Sequence, residues 1–172
     1  MKSDMHPCSH SSSATWAMIL SLILTSCSGD SYFEIKRSER CTIVTGENAD
    51  SLTLMAAAEL EKYIELITSA DLITTRGSGE GGRTIFIGRE SITDTALLAE
   101  AGRLSRDGFI ISAGGGSLLL AGNNGAADLH AVYTFLEEHA GCIWFTGSEQ
   151  HVPRSKKISI PAGKKIYEPA FS

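Results

Sequence analysis

The chain lacks any apolar run long enough to cross a bilayer as a helix, which takes roughly 20 residues. Its longest apolar stretch, Ala14 to Leu24 (ATWAMILSLIL), is about half that. It lacks an excess of base, with 15 Lys and Arg against 20 Asp and Glu for a net charge of −5. That balance argues against nucleic acid as a partner. It lacks metal-ligand spacing as well. His6, His10, His130, His139 and His151 form no HExxH pair and stand beside no paired cysteines, so neither a metal nor a cofactor is expected. There is no Gly-Lys-Ser/Thr phosphate loop, no dinucleotide fingerprint and no GxSxG nucleophile elbow. Cysteine is scarce, at four residues: Cys8, Cys27, Cys41 and Cys142.

What is present begins at the N-terminus. Ala14–Leu24 suits the apolar core of a secretory signal, and it leads into Leu24-Thr25-Ser26-Cys27. Small residues just before a cysteine are the pattern of a bacterial lipoprotein signal. The expectation is a signal peptide over residues 1–26, with Cys27 as the lipid-attachment residue. The protein would then be exported and held at a bacterial membrane by its lipid alone. Residues 27–40 read as a polar tether, and residues 41–172 as one domain, long enough for a real core. Cys41 and Cys142 could pair after export, although a free buried thiol is the commoner state for each.

Hydrophobic periodicity sets the expected elements. Cys41 to Thr45 reads as a strand. Leu52 to Thr68 reads as a helix, with Leu60, Tyr63, Ile64 and Ile67 on one stripe and Asp50 or Ser51 as its cap. Leu72–Thr75 and Thr84–Gly88 are strands. Residues 90–106 lean towards helix with a weak pattern. Phe109–Ser112 and Leu118–Ala121 make a hairpin about a glycine turn. A second helix over Ala126–His139 is expected to bury Leu129, Val132, Tyr133 and Leu136, and to end at Gly141. Short strands at Ile143–Phe145 and Ile158–Ile160 complete the order. The fold class expected is α+β: a two-layer sandwich, two main amphipathic helices on a mixed, mainly antiparallel sheet.

Candidate chemistry is sparse. Gly122-Asn123-Asn124-Gly125 lies between a strand and a helix, but without a phosphate-loop lysine it reads as a structural turn. Glycoside hydrolysis needs two carboxyl groups facing one bond. Glu137 and Glu138 are neighbours on a helix and point about 100° apart, so they read as solvated charges. Glu149 has no evident partner, and Asp107 suits a turn. No catalytic residue is assigned. Trp144 and Phe145 follow the second helix directly. They suit a core or interface position, or a contact with a glycan.

Four segments together resemble the N-terminal domain of α-glucuronidases and related exported glycoside hydrolases, a fold like the second domain of β-hexosaminidases. They are MAAAELEKYIELITSADL, TIFIGRE, DGFIIS with LLLAG, and LHAVYTFLEEHAGCIWF with EQHVP. Departures occur at Ala126-Ala127, His130-Ala131, Ile143 and Gly147, where family members carry Arg-Gly, Tyr-Gly, a basic residue and proline. In the family this domain precedes a catalytic (β/α)8 barrel that holds the catalytic carboxylates. The resemblance therefore implies an accessory domain in polysaccharide degradation, with a barrel on another chain and a polysaccharide as partners. A stand-alone lipoprotein module that binds glycan or protein without catalysis is the alternative.

Overall fold

The computed structural model describes residues 31–79, 82–147 and 149–169. The segment expected to be a signal, residues 1–26, and Cys27 lie outside these described residues. The strands are β1 (Tyr32–Lys36), β2 (Cys41–Thr45), β3 (Leu72–Arg76), β4 (Arg83–Ile87), β5 (Phe109–Gly114), β6 (Ser117–Gly122), β7 (Ile143–Trp144), β8 (Gln150–His151), β9 (Lys157–Pro161) and β10 (Gly163–Tyr167). The helices are α1 (Ser51–Thr68), α2 (Thr95–Ala101) and α3 (Gly125–Glu138).

Six strands form the central sheet in the order β10-β5-β6-β4-β2-β3. β3, β2, β4 and β6 run parallel; β5 pairs antiparallel with β6, and β10 pairs antiparallel with β5. Two further ribbons, β1–β9 and β7–β8, are antiparallel. The fold is α+β on a mixed sheet. α1 bridges the parallel neighbours β2 and β3, and α2 with β5 lies between β4 and β6, because parallel neighbours need a crossover. The β5–β6 hairpin turns at Gly115 and Gly116, whose φ of 58° and 78° suit a residue without Cβ.

Helices α1 and α3 lie side by side on one face of the sheet. Alternate residues of the strands point at them: Ile43, Ile85, Ile87, Leu118, Leu120 and Ile111 join Leu60, Ile64, Phe135 and Leu136 in one core. Asp50 caps α1, its side chain accepting from Thr53 N at 2.8 Å. Asn124 caps α3 through Ala126 N at 3.0 Å and Ala127 N at 3.2 Å.

Four observations differ from the sequence expectation. Residues 32–36 fall within the segment read as tether, yet they form β1. Phe33 and Ile35 are fully buried against Ile158 and Ile160 of β9, while Glu34 and Lys157 pair across the ribbon. Only two apolar residues alternate in YFEIK, too few to outweigh its polar context. On α3, Ala131 and Phe135 are fully buried, whereas Leu129 and Tyr133 are only partly so. The helix is covered by the sheet below and by α1 alongside, so its buried arc is wide and turned away from the expected stripe. The weak 90–106 segment forms the short α2, capped by Asp94. Ala101 and Leu104 join Ile110 in a small cluster on the sheet's other face. Finally, β10 extends the sheet at its β5 edge, with Tyr167 stacked on Phe109 at 4.6 Å. Cys41 and Cys142 are both buried and free, and burial pushes the Cys41 thiol up to about 12.

If β1 is part of the core, Phe33→Ala should cost about 3–5 kcal/mol. Urea denaturation reads this directly; an unchanged midpoint would mean that residues 31–37 are a tether after all.

Candidate functional site

The C-terminal ends of β2, β4 and β6 and the starts of α1 and α3 enclose a first crevice. Its floor is Asp128, a buried carboxylate. Asp128 Oδ1 accepts from Gly122 N at 2.7 Å and Oδ2 from the Thr53 hydroxyl at 2.7 Å. Gly88 closes over this pair at φ 83°; a Cβ there would come within 2.9 Å of Asp128 Oδ2. Gly122 is equally constrained, since its Cβ would lie 2.3 Å from that of Ala127. The Gly122–Gly125 segment is thus a turn that lets α3 approach the sheet. With Asp50 and Asn124 capping the two helix starts, and Asp50, Glu90 and Asp128 outnumbering Arg89 in the lining, the crevice is negative and unsuited to phosphate.

Burial pushes the Asp128 carboxyl up to about 6, against the lowering effect of the bonds from Gly122 and Thr53, and Asp50 adds repulsion. The folded state therefore binds this proton more tightly than the unfolded chain. The resulting penalty is absent below pH 3.8, grows between 3.8 and about 6, and is complete above.

A second, larger concavity opens where the far halves of α1 and α3 meet the β7–β8 hairpin. It encloses about 680 Å3. α1 supplies Glu59, Lys62 and Tyr63, α3 supplies Tyr133 and Glu137, and the hairpin supplies Trp144 and Gln150. The three aromatic rings interlock edge to face. Trp144 lies 5.6 Å from Tyr63 and 5.1 Å from Tyr133, at interplanar angles of 83° and 82°. Two hydrogen-bonded chains hold them. Trp144 Nε1 donates to the Tyr63 hydroxyl at 3.3 Å, which donates to Gln150 Oε1 at 2.6 Å. The Tyr133 hydroxyl donates to Glu59 Oε2 at 3.0 Å, while Lys62 pairs with Glu59 Oε1 at 3.2 Å. Burial and the Glu59 carboxylate push the Tyr133 hydroxyl up to about 12, so it remains a donor.

The structure separates the two aromatics singled out in the sequence. Trp144 is half-buried in the groove wall, whereas Phe145 is 63% exposed and turns away, as successive strand residues do. Glu137 and Glu138 also diverge. Glu138 accepts from Tyr167 at 2.6 Å and pairs with Lys165 at 2.9 Å, but Glu137 enters the groove with Glu59. Two carboxylates thus share one cleft. Neither has an apolar pocket of the kind that keeps a general acid protonated: Glu137 is exposed, and Glu59 is bound by Lys62 and Tyr133. Glu59, Lys62, Tyr63 and Gln150 escaped the sequence reading. A tyrosine within the apolar stripe of α1 was the available signal, since its hydroxyl needs a partner.

No family model matches the chain, and no curated protein matches it either. Solved structures do. One is a 4-O-methyl-α-glucuronidase of family GH115 with specificity for decorated arabinogalactans, at 11% identity and TM-score 0.53 over 80% of this chain. Another is the N-acetyl-β-hexosaminidase of Streptomyces plicatus, at 12%, 0.55 and 83%. A third is the GH20 exo-β-N-acetylglucosaminidase of Vibrio harveyi, at 14%, 0.50 and 83%. The chain shares its fold with part of several glycoside hydrolases. It spans only 18%, 24% and 17% of those three chains, and at such identity the likeness is one of fold.

Asp128→Asn keeps an acceptor for Gly122 and a partner for Thr53 but has no charge to bury. It should raise stability above pH 6 by about 1–3 kcal/mol and remove the decline between pH 4 and 6. Denaturation across pH 3.5–8 checks both, and parallel wild-type and variant curves would contradict the assignment.

Proposed function

We propose that this chain is an accessory domain of an exported glycoside hydrolase of α-glucuronidase type, serving polysaccharide degradation beside a catalytic barrel that these residues do not encode. The observation that carries the reading is the fold likeness: it takes in four-fifths of this chain but no more than a quarter of each matched enzyme. A second observation supports a partner. At the start of α1, beside its buried face, Leu52 and Met55 are 41% and 49% exposed, and Leu66 is 49% exposed further along, beyond Glu59 and Lys62 on the same face. Neighbouring exposed apolar side chains such as Leu52 and Met55 suit a partner's cover, and the barrel is the cover proposed. Cys27 would carry the lipid that keeps the assembly at a bacterial membrane.

The alternative, a stand-alone lipoprotein module that binds glycan or protein without catalysis, draws on the groove at Trp144. Under either reading the chain itself does no bond cleavage, because its paired carboxylates are engaged or solvated.

Three outcomes are expected. A barrel polypeptide from the same gene neighbourhood should co-sediment with the chain, and Leu52→Glu with Met55→Glu should abolish this without lowering Tm. Retained binding in that variant would remove the start of α1 from the interface. Growth with labelled palmitate should mark the wild type but not Cys27→Ser; equal labelling would exclude Cys27. Aldotetraouronic acid incubated with the chain alone should release no glucuronic acid, and turnover above background would overturn the non-catalytic reading.

A further inference from the structure

Within the accessory-domain reading, we infer that the groove between α1, α3 and the β7–β8 hairpin is a binding site for uncharged oligosaccharide, and that it rejects acidic sugars. The inference rests on how its groups are arranged. A pyranose offers two chemistries at once: C–H faces that pack on aromatic rings, and a rim of hydroxyls that donate and accept. The groove supplies both. Tyr133 and Trp144, both partly exposed, make an aromatic wall backed by the buried Tyr63, and edge-to-face contacts and hydrogen bonds fix the rings. Little side-chain freedom remains to be lost when a ligand packs there.

The polar groups divide into those that build the wall and those left for a ligand. Tyr63 and Tyr133 both spend their hydroxyl protons within the wall. The Glu137 carboxylate and the Gln150 amide nitrogen face the groove with no hydrogen bond or ion pair among the described residues. One accepts and the other donates, a pairing that suits vicinal hydroxyls. The volume of about 680 Å3 lies inside the range of roughly 300–1,000 Å3 usual for small-ligand sites.

Charge decides the class of sugar. Two carboxylates, Glu59 and Glu137, face a single ammonium, Lys62, which is already paired with Glu59 at 3.2 Å. A uronate would meet an unbalanced Glu137, with no free cation among the described residues that line the groove. Neutral sugars incur no such repulsion, and their hydroxyls can donate to that same carboxylate.

The test uses the full chain carrying Trp16→Phe, which leaves Trp144 as the single tryptophan. Its fluorescence is titrated with xylohexaose, cellohexaose, mannohexaose, N-acetylchitohexaose and hexagalacturonate. At least one neutral hexasaccharide should shift the emission with Kd of about 0.1–1 mM, and hexagalacturonate should not. Glu137→Ala, at an exposed position whose carboxylate has no hydrogen bond among the described residues, should weaken neutral binding about tenfold with Tm unchanged. Glu137→Lys should reverse the preference, so that hexagalacturonate binds and the neutral ligand weakens. The inference is overturned if no neutral hexasaccharide perturbs Trp144 at about 10 mM, if the wild type binds hexagalacturonate as tightly, or if Glu137→Lys leaves the preference as it was. None of these readouts depends on a barrel. Reducing ends released from a bound hexasaccharide would sink the non-catalytic reading while leaving the groove as a binding site.

Discussion

The hydrogen bonds through Asp128 tie together the parts on which everything else rests. One oxygen holds the end of β6, the other holds Thr53 in the first turn of α1, and the residue itself belongs to α3. A single carboxylate thus joins strand, helix and helix at one end of the molecule. Gly88 has no side chain there because Asp128 and Thr53 fill the space. The consequence is felt at the opposite end. With their starts pinned together, α1 and α3 run alongside each other, and Tyr63, about three turns past Thr53, and Tyr133, about one and a half turns past Asp128, both reach Trp144. The aromatic groove is the distal product of a buried polar joint.

Burying a charged joint is costly, and the raised protonation range of Asp128 expresses that cost. What is gained is a fixed arrangement. An apolar contact in its place would let the two helices slide, since hydrophobic burial has no direction. The bonds to Gly122 and Thr53 are directional and admit one geometry. The same logic recurs on a smaller scale in the groove, where each aromatic ring that could swing is held by a hydroxyl or an indole N–H.

The molecule also has two unequal faces. On one, α1, α3 and the β1–β9 ribbon cover the sheet, and α1 leaves Leu52 and Met55 exposed. On the other, only α2 and Leu104 cover part of the sheet, leaving Ile73 and Ile166 about half exposed. The first face combines Leu52 and Met55 with the aromatic groove, so a partner seated on α1 would adjoin whatever the groove holds. Sites formed between a small domain and a larger neighbour are common, because each side contributes a wall.

Local pattern determined a good deal. The strand CTIVT, the α1 stripe, the capping role of Asp50 and the turn at Gly115–Gly116 all depend on residues close in sequence, and each formed as its pattern implies. The divergence of Glu137 from Glu138 follows from helix geometry alone. Tertiary structure decided the rest. β1 exists because β9, more than a hundred residues later, covers Phe33 and Ile35. Asp128 is a joint because Thr53 arrives from another helix. The groove brings residues 59–63, 133–137 and 144–150 to one place, and nothing in any one of those segments points to the other two. Secondary structure responds to neighbours along the chain; a site is made by groups the chain brings together only after it has folded.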